Sequence, residues 1–173
     1  MARPQLNPWR ETVRFSELAR GPVERRIAPD GPQLAALAKQ LGVDALESLS
    51  ATVKVSPWLD GAEVRGGFTA RVVQTCGVTL EPLENIVSGD FHVRLLPAGS
   101  PNLPSEDGEI DLEAEDPPDA VEGDEIDISG YVVEHLALDI DPFPRKPDAV
   151  FEPPPAEEEA SPFAVLKRLK EQE

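Results

Sequence analysis

Two alternating segments on either side of Asp60-Gly61 constrain this chain most. From Glu63 to Thr75, Val64, Gly66, Phe68, Ala70 and Val72 fall on one side, and Arg65, Thr69 and Arg71 on the other. A period of two is that of a strand with one buried face. Leu49 to Leu59 carries Val53 and Val55 at the same period. Asp60-Gly61 suits a tight hairpin turn between them, because both residues tolerate positive φ. Ile86 to Leu96 repeats the pattern, with Phe91, Val93 and Leu95 on one face. The three segments predict an antiparallel meander whose apolar face needs a cover. Gly66-Gly67, inside the second, marks a bulge or a close backbone approach.

Helical patterns can supply that cover. Asp30-Gly31-Pro32 reads as a helix start, since the missing N–H of Pro32 costs nothing in the first turn. Leu34, Leu37, Ala38 and Leu41 then share a face, and Gly42 suits a left-handed end. A further short helical turn is expected from Asp44 to Leu49. Val132, Val133, Leu136 and Ile140 share a second helical face, with Ser129 able to cap it and Pro142 and Pro144 to stop it. Trp9 to Phe15 and Val23 to Ile27 read as short early strands. The expected fold is α+β. An antiparallel sheet, a meander or partial barrel, is packed by one or two helices within a single domain over residues 1–151.

After Pro97 the composition changes. An acidic loop is expected over about residues 100–125, within which no Lys or Arg interrupts the run from Glu106 to Asp127. Ile110, Leu112 and Ala114 alternate with acids and suggest a short strand there. Residues 152–160, EPPPAEEEA, read as an extended linker. Residues 161–173 then read as a short amphipathic helix, with Phe163, Leu166 and Leu169 apolar and Lys167, Arg168 and Lys170 polar. Such a stripe is too short to be stable alone in water, so it must dock on its own domain or on a partner.

Charge and counts exclude several classes of function. With 33 acidic and 16 basic residues the formal charge is −17, which makes a basic protein a more natural partner than naked RNA. An arginine-bearing sheet face using Arg25, Arg26 and Arg71 is the alternative, for direct RNA contact. One cysteine, Cys76, and two histidines, His92 and His135, build no zinc spacing. No basic residue flanks Cys76 to activate it, so it reads as a small apolar side chain. Asp107, Glu109, Asp111 and Glu113 alternate but lack the glycine and terminal glutamate of a calcium loop. No enzyme, cofactor, metal or small-molecule substrate is expected. There is no apolar run of transmembrane length, and MARPQLNPWRETVRF is charged where a secretory signal is apolar. A cytoplasmic location without membrane contact is expected.

Three segments together resemble a known bacterial and plastid family. They are TCGVTLEPL (75–83), GDEIDISGYVVEHLALDIDPFPRK (123–146) and SPFAVLKRLK (161–170). They are similar to the YceD family, the large ribosomal RNA subunit accumulation proteins. The family often has Cys-x-x-Cys before Leu at the first segment. Cys76, Leu80 and Pro82 fit that motif, but Thr79 stands at the second cysteine. Metal binding or redox pairing through the motif is thus not available here. Asp127, Glu134, Leu136 and Leu138 match the family's acidic-then-apolar helix, whereas His135 stands where a second Glu is common. Asp141 stands where Pro is usual, which shifts the expected helix end. The resemblance implies a non-enzymatic role in 23S rRNA accumulation and large-subunit biogenesis. The expected partner is a basic large-subunit protein or assembly factor, bound through Asp127, Glu134, Phe163, Leu166 and Leu169, with rRNA itself as the alternative.

Overall fold

A computed structural model describes residues 7–104 and 116–151. Its elements, in chain order, are β1 (Thr12–Arg14), a 3-10 helix (Phe15–Arg20), β2 (Val23–Ile27), α1 (Gly31–Leu41), β3 (Ala45–Trp58), β4 (Gly61–Thr75), β5 (Pro82–Pro97), β6 (Asp119–Val121), β7 (Glu125–Asp127) and α2 (Ile128–Asp139). The alternating segments form the expected meander: β2, β3, β4 and β5 pair antiparallel in chain order. β6 adds to the far side, parallel to β5 along Leu95–Pro97. The sheet stays open, and β1 with β7 forms a separate two-stranded ribbon.

Both helices and the ribbon cover one face of the sheet. Val53, Val55, Val64, Val72 and Leu95 are fully buried there. α1 packs on β3 and contributes Leu37; α2 packs on β5 and β4 and contributes Val132 and Leu136. Trp9, Val13 and Ile126 join the same cluster from the ribbon side. Each such burial stabilises by about 1.5–3 kcal/mol, so this face holds the fold together. α1 has the expected ends. Asp30 and Gln33 cap each other's backbone N–H, and Gly42 takes a left-handed φ of 70°.

Several expectations are corrected. Asp44–Leu49 is not a helical turn, because β3 begins at Ala45 and pairs with Val73. Its alternation is hidden by a bulge between Leu46 and Ser48, which lets Leu46 and Leu49 both face the core. The strand expected over Trp9–Phe15 shrinks to Thr12–Arg14, and Phe15 starts a 3-10 helix instead. The third strand is longer than Ile86–Leu96 and opens at Pro82. The first hairpin turns at Leu59-Asp60, with Leu59 at φ 50°. Gly61 serves another purpose, since a Cβ on it would run into the Leu95 carbonyl. Within the acidic run, Asp119–Val121 and Glu125–Asp127 are strands rather than loop. Fully buried Ile126 anchors the second of them. The strand expected around Ile110, the linker and the terminal helix lie outside the described residues.

Gly66 does not mark a bulge. It lies directly opposite Phe91, and Gly89 lies opposite Phe68. A Cβ on Gly66 would meet the Phe91 ring, and one on Gly89 the Phe68 ring and the Asp139 carboxylate. Each ring therefore lies across a glycine of the neighbouring strand, which brings the sheet and α2 into close contact at this point.

Candidate functional site

The strongest concentration of one chemistry surrounds Tyr131, in the first turns of α2. Asp127 ends β7 and caps α2, accepting the Gly130 N–H at 2.9 Å. Ser129, expected as the cap, is instead buried behind it. Its Oγ accepts the Glu11 N–H at 2.9 Å and lies 2.9 Å from the Trp9 carbonyl and 2.6 Å from the Asp127 carboxylate. This network ties α2 to the chain leading into β1 and sets the angle at which Tyr131 and Glu134 emerge.

Two adjoining hollows, of about 550 and 470 Å³, share Asp119, Tyr131 and Glu134 as walls. Asp116 lines the first, along with His92, Arg94 and His135, and Glu122, Glu125 and Asp127 line the second. Burial first, then the charges of Asp119 and Glu134, push the Tyr131 phenol well above its ordinary 10.0. The phenol therefore stays protonated and serves as a donor to Asp119. Glu125 is neutralised by Arg10 at 3.0 Å and Arg14 at 3.5 Å. Asp116, Asp119, Glu122 and Glu134 form no ion pair among the described residues. The result is a negative concavity with a half-buried aromatic in its floor, suited to a Lys- or Arg-bearing segment. His135 closes one side: its ring stacks on Phe91 at 4.8 Å, and its Nδ1–H donates to the Tyr131 carbonyl at 2.8 Å.

The arginines singled out from the sequence do not gather. Arg25 lies opposite Val53, on the core side of β2, and pairs with Glu17 at 3.0 Å. Arg26 lies opposite Thr52, on the open face. Arg71 is on that open face too, but sits between Glu47 at 3.8 Å and Glu84 at 3.9 Å. Further up, Glu63 holds both Arg65 and His92. Arg26 and Lys54 are left without an ion pair among the described residues. They border a shallow concavity of about 660 Å³ and its neighbour, whose floor carries Ser50, Thr52, Thr69 and Ser88. Asp90 crosses that floor over Gly67.

Cys76 is fully buried in the β4–β5 turn. Its sulfur accepts the Thr79 N–H at 3.5 Å and the Lys146 N–H at 3.3 Å. The Thr79 hydroxyl, then these N–H groups and that of Val78, lower the thiol from 9.0 to about 6. Gly77 N–H donates to the Pro144 carbonyl at 2.9 Å and Lys146 Nζ to Glu81 at 2.6 Å, so the turn is a latch for the chain beyond α2. Leu80, exposed at φ 58°, and Pro82, exposed at the start of β5, shape the turn. Among the described residues no cluster of His, Cys, Asp and Glu could hold a metal ion.

Sequence reasoning missed Tyr131 and Asp119. The only tyrosine in the chain, inside an acidic stretch, was a usable signal. Phe163, Leu166 and Leu169 lie outside the described residues. Among the described residues no helix is long and apolar enough to cross a membrane. Neither the curated proteins nor the solved structures compared with this chain yield a match. One family model does match: the large ribosomal RNA subunit accumulation protein YceD, over residues 64–170. That range is more than half of the chain and contains most of β4, all of β5, the Cys76 turn and the Tyr131 concavity, so the chain belongs to the YceD family.

Proposed function

We propose that this protein is a non-enzymatic factor in the accumulation of large-subunit ribosomal RNA, and that it works by binding a basic large-subunit protein or assembly factor. The family supplies the process. The observation that carries the contact is the convergence around Tyr131 of Asp116, Asp119, Glu122 and Glu134, which form no ion pair among the described residues. A basic segment entering there exchanges solvated carboxylates for charge-assisted hydrogen bonds, and the phenol offers a face for an arginine. Asp127 contributes through its cap, by holding α2 in place, more than as a free charge. In cells lacking the protein, supply of the wild type restores the ratio of 23S to 16S rRNA. An Asp119→Asn, Glu134→Gln double variant, expressed to the same level, does not. Full restoration by the variant would remove the concavity from the account.

Direct RNA contact is the second reading, supported by Arg26 and Lys54 beside the Ser/Thr-lined floor. It predicts salt-sensitive binding of 23S fragments that falls in an Arg26→Ala, Lys54→Ala variant. Arg25 and Arg71 are already engaged with carboxylates and contribute little to it.

A further inference from the structure

Independently of the partner contact, we propose that the open edge of β2 pairs antiparallel with β2 of a second copy of this chain, about a twofold axis at Arg25. β2 is an outermost strand of the five-stranded sheet and pairs on one side only, with β3. Among the described residues no backbone group from another element bonds to its outer side. Its three central residues, Glu24, Arg25 and Arg26, are exposed. An unpaired strand edge is a template for a further strand. The opposite edge of the sheet offers less, since β6 has three residues and carries Asp119 with Glu122 just beyond it.

The sequence of β2, Val-Glu-Arg-Arg-Ile, chooses the occupant, because it is complementary to its own reverse. An axis at Arg25 is the symmetric register that pairs every residue of the strand. Glu24 then lies opposite Arg26 of the second copy, once on each side of the axis and on the open face of the sheet. Within one copy neither Glu24 nor Arg26 forms an ion pair among the described residues, although Glu24 lies opposite Lys54. On the core side Val23 lies opposite Ile27 of the second copy, so apolar meets apolar across the junction. Only Arg25 faces its own kind, at the axis. An inward-pointing charge on an edge strand guards it when that charge stands alone. Here Glu17 holds Arg25 at 3.0 Å, so two guanidiniums and two carboxylates meet as a neutral cluster. The contact is small and each copy carries a charge of −17, so the dimer is weak and needs salt to screen the long-range repulsion.

Sedimentation equilibrium of the full-length protein tests this, in salt of about 0.15 M and with reductant so that Cys76 forms no disulfide. Wild type shows a monomer–dimer equilibrium over a concentration series reaching millimolar. Glu24→Arg and Arg26→Glu each turn both cross-strand pairs into like-charge pairs and weaken the dimer by at least about tenfold. Glu24→Arg also lowers the net negative charge, so general repulsion alone predicts the opposite change for it. Mixing the two variants in equal amounts restores association, because each pair across the axis then joins an arginine to a glutamate. Wild type that stays monomeric throughout would overturn the proposal. Single variants that dimerise as wild type does would also overturn it, as would two variants of wild-type circular dichroism whose mixture stays monomeric. Should a variant fail to fold, amide exchange in wild type alone gives the decision. Exchange in β2 that slows as concentration rises supports the pairing, and exchange there that is independent of concentration refutes it.

Discussion

At the scale of single residues, Cys76 shows how a site can be chemically prepared with no charged neighbour in the sequence. Its thiol is lowered to about 6 by the Thr79 hydroxyl and by backbone N–H groups, one of them on Lys146, 70 residues further along the chain. A search for a flanking cation could not find this, because hydrogen bonds to sulfur are set by the turn and the latch. The stability consequence has a definite sign. A group whose pKa falls on folding stabilises above its unfolded value and loses that contribution as pH drops through the folded value. The stability advantage of wild type over Cys76→Ser therefore grows between about pH 6 and pH 9 and is flat below 6, as chemical denaturation across that range would measure. A constant difference would mean that the thiolate is not formed in the folded protein. Gly66 makes the opposite case. Its place in an alternating strand was legible, but its reason, the Phe91 ring lying across it, depends on register with β5. Gly66→Val is expected to cost about 1–3 kcal/mol in urea denaturation, as overpacking does.

At the scale of elements, the long alternating strands and the capped helix α1 were readable because each is specified locally. Val64 to Val72 sets the buried face of β4, and Asp30, Gln33 and Gly42 set the limits of α1. What was not readable depends on contacts distant in sequence. Asp44–Leu49 has helical spacing only because a bulge at Glu47 breaks its period of two. Three-residue strands such as β1 and β7 exist because they pair with each other, Val13 opposite Ile126. Ser129 belongs to the same class. It resembles a cap in sequence, whereas in the fold it bonds the chain around Trp9 and Glu11. Ser129→Ala takes the partner from the buried Trp9 carbonyl and the part-buried Glu11 N–H and is expected to cost about 1–3 kcal/mol. Hydrogen exchange should then quicken in β1, β7 and the first turn of α2 while β3 and β4 keep their protection. Uniform loss across the sheet would mean that the ribbon is no separate unit of stability.

At the scale of the whole molecule, the charge of −17 is arranged rather than spread. The open sheet face mixes signs, with Glu63, Glu84 and Glu47 engaging Arg65, His92 and Arg71. On the Tyr131 side, Glu125 is paired with Arg10 and Arg14, whereas Asp116, Asp119, Glu122 and Glu134 form no ion pair among the described residues. An exposed electrostatic contact of this kind is screened over roughly 8–10 Å at physiological salt, so partner capture should weaken as salt rises. Of this site the sequence displayed the acidity and Glu134, but not the concavity, because that requires β6 to add beside β5 and α2 to turn under it. The measurement that bears most directly on the account is affinity capture on the purified full-length protein from lysate at low salt, with large-subunit proteins quantified by mass spectrometry. Wild type should retain a basic large-subunit protein or assembly factor, and Asp119→Asn, Glu134→Gln should lose at least tenfold of it while Arg26→Ala, Lys54→Ala does not. Equal retention by wild type and the acidic-site variant, or retention of no such protein by either, would contradict it.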